Sequence, residues 1–277
     1  MMIKLLAICM LLGLTVGYRL KSRFLQNRLR PRYGPMSIVG GTDAYENSVP
    51  WQVSIKSSDY NHFCGGSLVR GKNGLAVVTA AHCVSDGTQA SSIQVVVGRH
   101  SLAQQSESEK TYQVSEIKNH PQYNADTFDN DIAVLFVQGE ISETEQVGPI
   151  QLPKEDSSVF NGQECLISGW GALKEGGEEG PEILQEAWVD LFSNAMCYGK
   201  YNDGFNRNLM ICGGKEEGGV DSCQGDSGGP FACFDDDWNP ILVGVTSWGE
   251  GCARADKPGV YADVYKLKSW LNGVLGL

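Results

Sequence analysis

The chain has 277 residues, room for one large domain or two closely packed halves, with 22 Lys and Arg set against 33 Asp and Glu. Charge is spread unevenly: residues 1–37 hold seven of the cations and no acid, leaving 15 cations and 33 acids, a formal −18, on the other 240 residues. So acidic a body argues against nucleic acid and anionic membrane surfaces as partners, and favours solubility and basic ligands.

In chain order, Lys4 precedes an apolar run from Leu5 to Leu14, followed by small or polar residues from Thr15 to Gly17. This predicts a secretory signal peptide over residues 1–17, cut after Gly17, and hence an extracellular protein. The run is too short to span a bilayer comfortably, and no later stretch is long and apolar enough, so no membrane partner is expected. Residues 18–37 carry Arg19, Lys21, Arg23, Arg28, Arg30 and Arg32, broken at the end by Pro31, Gly34 and Pro35. They read as a basic, detachable prosegment in which Leu20, Phe24, Leu25 and Leu29 form a weak helical face.

From Ile38 onward short β segments dominate: Trp51–Ile55, Leu75–Thr79, Ile93–Val97, Ile132–Val137, Glu164–Ser168, Leu242–Ser247 and Gly259–Val264, parted by glycine-rich and polar turns. Val264 to Leu275 supplies the clearest helix, with Leu267, Leu271 and Val274 on one face. The reading is an all-β protein of one or two small barrels closed by a terminal helix. The glycine- and glutamate-rich turns Lys174–Pro181 and Lys215–Val220, and the acidic Asp235–Asp237, read as solvated surface.

Of nine cysteines, Cys9 falls in the signal peptide. The other eight, Cys64, Cys83, Cys165, Cys197, Cys212, Cys223, Cys233 and Cys252, predict four disulfides in a secreted chain, with 105 pairings open on count alone. No close Cys pair is joined to a His pair at zinc-finger spacing, and no N-x-Ser/Thr sequon occurs.

Three segments carry chemistry. Leu75-Ala-Val-Val-Thr-Ala-Ala-His82-Cys83 delivers a histidine from an apolar strand to a tight turn. Asp129-Asn-Asp131-Ile-Ala-Val-Leu135 puts a carboxylate at the mouth of another strand. Asp221-Ser-Cys-Gln-Gly-Asp-Ser227-Gly-Gly-Pro230 presents a hydroxyl among glycines. Alone, each reads as a core histidine, a strand cap and a turn residue. Together they form a serine-hydrolase constellation. A serine hydroxyl is a poor nucleophile, so His82 must take its proton as Ser227 attacks a carbonyl, and Asp131 must orient the ring and stabilise the imidazolium. The amides of Gly225 and Ser227 face the developing oxyanion.

With these motifs the chain resembles the trypsin branch of the chymotrypsin-like serine protease family. The resemblance runs from Ile38-Val-Gly-Gly41 through Pro50-Trp51, Cys64-Gly-Gly-Ser67, Thr79 to Cys83, Asp129 to Leu135, Gly169-Trp-Gly171, Asp221 to Pro230, Ser247-Trp-Gly249 and Lys257 to Tyr261. It implies a serine protease domain over residues 38–277, built as two packed six-stranded antiparallel β-barrels with a C-terminal helix and the catalytic residues between them. It also implies the disulfides Cys64–Cys83, Cys165–Cys233, Cys197–Cys212 and Cys223–Cys252.

The resemblance makes Asp221 the base of the specificity pocket, with Gly249 and Gly259 as its walls, Gln224 at its rim, and Ser247 and Trp248 beside the substrate backbone. A pocket floored by a carboxylate takes Arg or Lys. The expected activity is therefore a trypsin-like endopeptidase, digestive and made as a zymogen, monomeric, acting on protein or peptide substrates, blocked by protein protease inhibitors and needing no cofactor. A catalytically weak protease-like binding or regulatory protein is the alternative from a different class. Activation is expected to pair the freed amine of Ile38 with Asp226, although Tyr33-Gly-Pro-Met-Ser37 stands before the cut where relatives carry Lys or Arg. The prosegment has no cysteine partner and should leave. At the family's calcium loop Arg99 stands where an acidic ligand is usual, although Glu109 is kept, so no tight calcium site is expected there.

Overall fold

A computed structural model describes residues 38–57, 62–85, 87–177 and 180–277; the signal peptide and prosegment assigned to residues 1–37 lie outside the described residues. Thirteen strands and two α-helices form among them. The strands are β1 (Thr42–Asp43), β2 (Gln52–Ser57), β3 (His62–Gly71), β4 (Gly74–Thr79), β5 (Ile93–Val97), β6 (Lys110–Asn119) and β7 (Ala133–Val137), then β8 (Glu164–Gly169), β9 (Gln185–Leu191), β10 (Met210–Gly214), β11 (Pro230–Phe234), β12 (Pro240–Trp248) and β13 (Gly259–Asp263). The helices are α1 (Asn194–Tyr201) and α2 (Val264–Leu275).

The first barrel runs β2-β3-β4-β7-β6-β5 and closes where β5 pairs antiparallel with β2, Val97 opposite Val53. The second runs β8-β9-β10-β13-β12-β11 and closes through β11 and β8, Phe231 opposite Ile167, while β1 adds to the outside of β9. Closure satisfies the ladder groups that an open sheet would leave at its edges. Inward-facing Val53, Ile55, Leu68, Val77, Val95 and Leu135 are fully buried in the first barrel. In the second, Ile167, Val189, Val243 and the stacked rings of Phe231 and Tyr261 share a core with Ile38.

Helix α2 holds the barrels together. Asp263 caps its start by accepting from the amides of Tyr265 and Lys266, and Gly276 ends it in the left-handed conformation. Val264, Leu267, Leu271 and Leu275, at helical spacing, are buried in the apolar cluster that includes Leu68, Val69 and Leu75 of the first barrel. Each such leucine contributes about 1.5–3 kcal/mol. Lys72 seals the contact, its amide donating to the Leu275 carbonyl at 2.9 Å.

The seven predicted strands all form, within a residue or two of their expected ends. Several others escape the pattern. Strand β3 carries Gly65-Gly66, a pair that interrupts any apolar or β-branched run; Gly65 is glycine because its backbone lies against that of Gly229. Strand β6 is largely exposed, so its sequence shows no core run. No helix among the described residues is long and apolar enough to cross a membrane.

Candidate active site

Strand β4 ends in a 3₁₀ turn, Ala81–Cys83, that carries His82 outward, and the disulfide Cys64–Cys83 ties the turn to β3. Across from it, residues before β7 enter with Phe128 and Asn130 in the left-handed region, which turns Asp131 inward to full burial. The Asp131 carboxylate accepts from the His82 amide at 2.9 Å and lies 2.7 Å from His82 Nδ1. A carboxylate only accepts, so Nδ1 carries the ring proton and Nε2 of the neutral ring is left as an acceptor. Ser247 Oγ donates to the same carboxylate at 2.5 Å, and the Phe128 ring meets the imidazole edge-on.

The turn bearing Ser227 is braced on the same rim. The Ser227 carbonyl accepts from the amide of Gly65, next to Cys64, at 2.7 Å, and Gly228 approaches the end of β4 so closely that a Cβ there would stand 2.1 Å from Thr79 Oγ1. Strands β3 and β4 thus brace both the turn that carries Ser227 and the turn that carries His82. Among the described residues no group accepts from the amides of Gly225 and Ser227. The Asp226 carboxylate is buried beneath them and accepts from Gly171 at 2.8 Å and Cys223 at 2.9 Å. Burial pushes this carboxyl up to about 6, and the two amides only partly offset that cost.

A cavity of about 200 Å³ opens beside Ser227. Its lining includes Asp221, Gln224, Ser247, Trp248, Gly249 and Gly259, with the disulfide Cys223–Cys252 in its wall. Asp221 is 2% exposed and accepts from the amides of Ser222 at 2.8 Å and Ala253 at 3.2 Å. Desolvation pushes its carboxyl up to about 7, and among the described residues no Lys, Arg or His pairs with it. A Cβ on Gly259 would lie 2.7 Å from Asp221 Oδ1, so any larger residue there would block the carboxylate. Ile38 is buried in the second barrel and Val39 bridges to Asp221, whose amide donates to the Val39 carbonyl at 3.1 Å.

All eight cysteines from Cys64 onward are paired as the resemblance implied, the other two bridges being Cys165–Cys233 and Cys197–Cys212. The expected surface turns make ion pairs: Glu175 with Arg254, and Lys215 with Glu164 and Asp190. The loop from Arg99 to Glu109 does not fit calcium, because both carboxylate oxygens of Glu109 are engaged at 3.0 Å by Nε and a terminal nitrogen of Arg99.

Two neighbours of the site were not legible in the sequence. His62 reaches the carbonyl of Gly225, and Phe128 walls the His82 ring. Neither sits in a motif; only the proximity of His62 to Cys64 hinted that it lies near the site.

The family model for Trypsin matches residues 38–271. Serine protease 1 of Canis lupus familiaris is 43% identical over 235 residues, covering 85% of this chain and 88% of the relative. Trypsin of Sus scrofa is 41% identical over 235 residues, 85% of this chain and 94% of its own. Serine protease 1 of Homo sapiens is 41% identical over 238 residues, covering 86% and 89%.

Proposed function

The chain belongs to the trypsin family of serine proteases, and on that premise we propose that it is a secreted, zymogen-derived endopeptidase that hydrolyses peptide bonds after Arg and Lys through an acyl-enzyme on Ser227. The observation that carries the specificity is Asp221, a desolvated carboxylate without a cationic partner among the described residues, in the cavity that Ser227 also lines. A buried charge of this kind needs a counter-charge, and the long side chain of a substrate Arg or Lys supplies it while placing the next carbonyl at Ser227.

In this reading His82 Nε2 accepts the Ser227 proton as Oγ attacks the carbonyl carbon, and the imidazolium is stabilised by Asp131, which is itself fixed by Ser247. The oxyanion is met by the amides of Gly225 and Ser227. His82 then gives its proton to the leaving amine, and water, deprotonated by the same ring, cleaves the ester. Ser247 to Gly249 offers its backbone to the substrate, with Gln224 at the rim.

Activation is read from the buried Ile38. Among the described residues Asp226 has only amide partners in its buried site, and the ammonium of a chain end freed at Ile38 would neutralise it and order the adjacent turn from Gly225 to Ser227.

The test is cleavage of a peptide library by protein cut before Ile38. Products ending in Arg and Lys should dominate, Ser227→Ala should abolish the initial burst of product, and Asp221→Ser should cost about 3–5 kcal/mol of discrimination, on the order of 10³-fold. Preference for aromatic or small residues would reject the Asp221 assignment. The absence of any burst from protein with a confirmed Ile38 terminus would favour the binding-protein alternative.

A further inference from the structure

Away from the Asp221 cavity, the second barrel carries a groove of about 350 Å³ between the segment leaving the first barrel and the β11–β12 turn. It shares no lining residue with that cavity. Leu152, Val159, Phe160, Phe234 and Ile241 supply an apolar floor, and Val159 is 50% exposed. Glu155 and Asp236 stand on the rim, and among the described residues no cation pairs with either. Asp235 also lines the groove but is committed to its own turn, accepting from the amides of Asp237 and Asn239. Among the described residues Lys154 is the one cation in the lining.

We propose that this groove binds the chain's own residues 18–37 non-covalently. Three observations select that occupant. The segment has six cations and no acid, matching the carboxylate rim. It also carries Leu20, Phe24, Leu25 and Leu29, which match the apolar floor; a merely basic peptide would not need one. And it runs directly into Ile38, which belongs to the same apolar cluster as Phe160 of the groove. Twenty residues reach about 65 Å when extended, against a radius of gyration of about 18 Å for a domain of this size, so the segment can fold back onto this face. No cysteine links it to the barrels, so cleavage before Ile38 would convert an intramolecular contact of high effective concentration into a weaker bimolecular one. The groove would thus hold the segment in the precursor and release it after the cut, without occupying the Asp221 cavity.

The proposal requires no catalytic activity, so it is tested in the full chain carrying Ser227→Ala, which also keeps the arginine-rich segment intact. Backbone hydrogen exchange over residues 151–163 and 234–241 is measured in the uncut chain and after cleavage before Ile38 by an added protease and removal of the fragment. The expected result is at least tenfold slower exchange in the uncut chain, lost in Glu155→Lys/Asp236→Lys, whose exposed positions leave the core untouched. A synthetic peptide of residues 18–37 should restore the protection to the cut protein. An aryl amidine that fills the Asp221 cavity should not displace it. Equal exchange in both forms overturns the proposal, as does protection that survives the charge reversals. Displacement of the peptide by the amidine would instead assign its binding to the substrate cavity. Protection that depends on protein concentration rather than on the segment would assign the groove to a second copy of the chain, and would equally reject the proposal.

Discussion

His62 Nε2 stands 3.1 Å from the carbonyl oxygen of Gly225, across a sequence separation of 163 residues. A carbonyl only accepts, so Nε2 carries the proton and Nδ1 accepts from Ser54 Oγ at 2.9 Å. The ring therefore clamps the peptide that follows the Gly225 amide, the proposed oxyanion donor, and makes His62 a positioning residue. His62→Ala strands two polar groups and should lower kcat about tenfold with little change in KM, the scale of a lost buried hydrogen bond. His62→Gln, which retains an N–H donor, should recover part of the loss. Steady-state kinetics on an Arg ester separates these, and a change confined to KM would count against the clamp.

The same residue sets a pH dependence. Burial pushes the His62 ring down to about 4, whereas an unfolded histidine titrates near its ordinary 6.5. Between those values the unfolded chain binds the extra proton, so stability rises with pH through the window and is lost as pH falls from about 6.5 towards 4. The loss amounts to about 3 kcal/mol. Urea unfolding of the wild type and His62→Gln at pH 7 and pH 4.5 should show a steeper fall in the wild type; parallel lines would refute the assignment.

Ser247 holds Asp131 and so acts through it on His82. Ser247→Ala removes a donor from a buried carboxylate and should lower kcat/KM about tenfold, since hydrogen bonds to charged groups contribute about 1.5–3 kcal/mol. Ser247→Thr keeps the hydroxyl and should recover most of it. The proton resonance of His82 Nδ1 should move in the alanine variant only, which a simple packing defect would not produce.

Arg99 and Glu109 form a largely buried, two-point ion pair where a calcium ion would otherwise need the carboxylate. The melting temperature should be the same in calcium and in chelator. Arg99→Ala strips the buried Glu109 of its two-point partner, leaving only the nearby charge of Lys56, and should cost about 3 kcal/mol, and Arg99→Met with Glu109→Met should restore part of it. Thermal melts of the four proteins decide this, and a clear rise in melting temperature with calcium would contradict it.

Asp221 binds a cation only as a carboxylate, and desolvation pushes its carboxyl up to about 7. Affinity for an aryl amidine should therefore be constant above pH 8 and fall roughly tenfold per unit well below pH 7, as the proton competes with the ligand. Near pH 7, binding should release protons to the buffer, read by calorimetry in buffers of different ionisation enthalpy. Affinity unchanged down to pH 5 would mean that the carboxylate is already ionised in the free protein.

What the sequence alone determined were features whose physics is local. Helix α2 is legible because its apolar face, with Leu267 and Leu271, lies within one short segment. His82, Asp131 and Ser227 are legible because each sits in a turn whose neighbours restrict the backbone, although only the family resemblance joined the cysteines into pairs. The tertiary structure decided what depends on distant segments meeting. Closure of the first barrel makes strands of the glycine-broken β3 and the exposed β6, because each finds its ladder partners on both sides. Folding placed His62 under Gly225 and Arg99 against Glu109, contacts that no spacing rule predicts. It also desolvated Asp221 and Asp226, since burial sums the volume of every element packed around a carboxylate, and those elements come from both ends of the described chain.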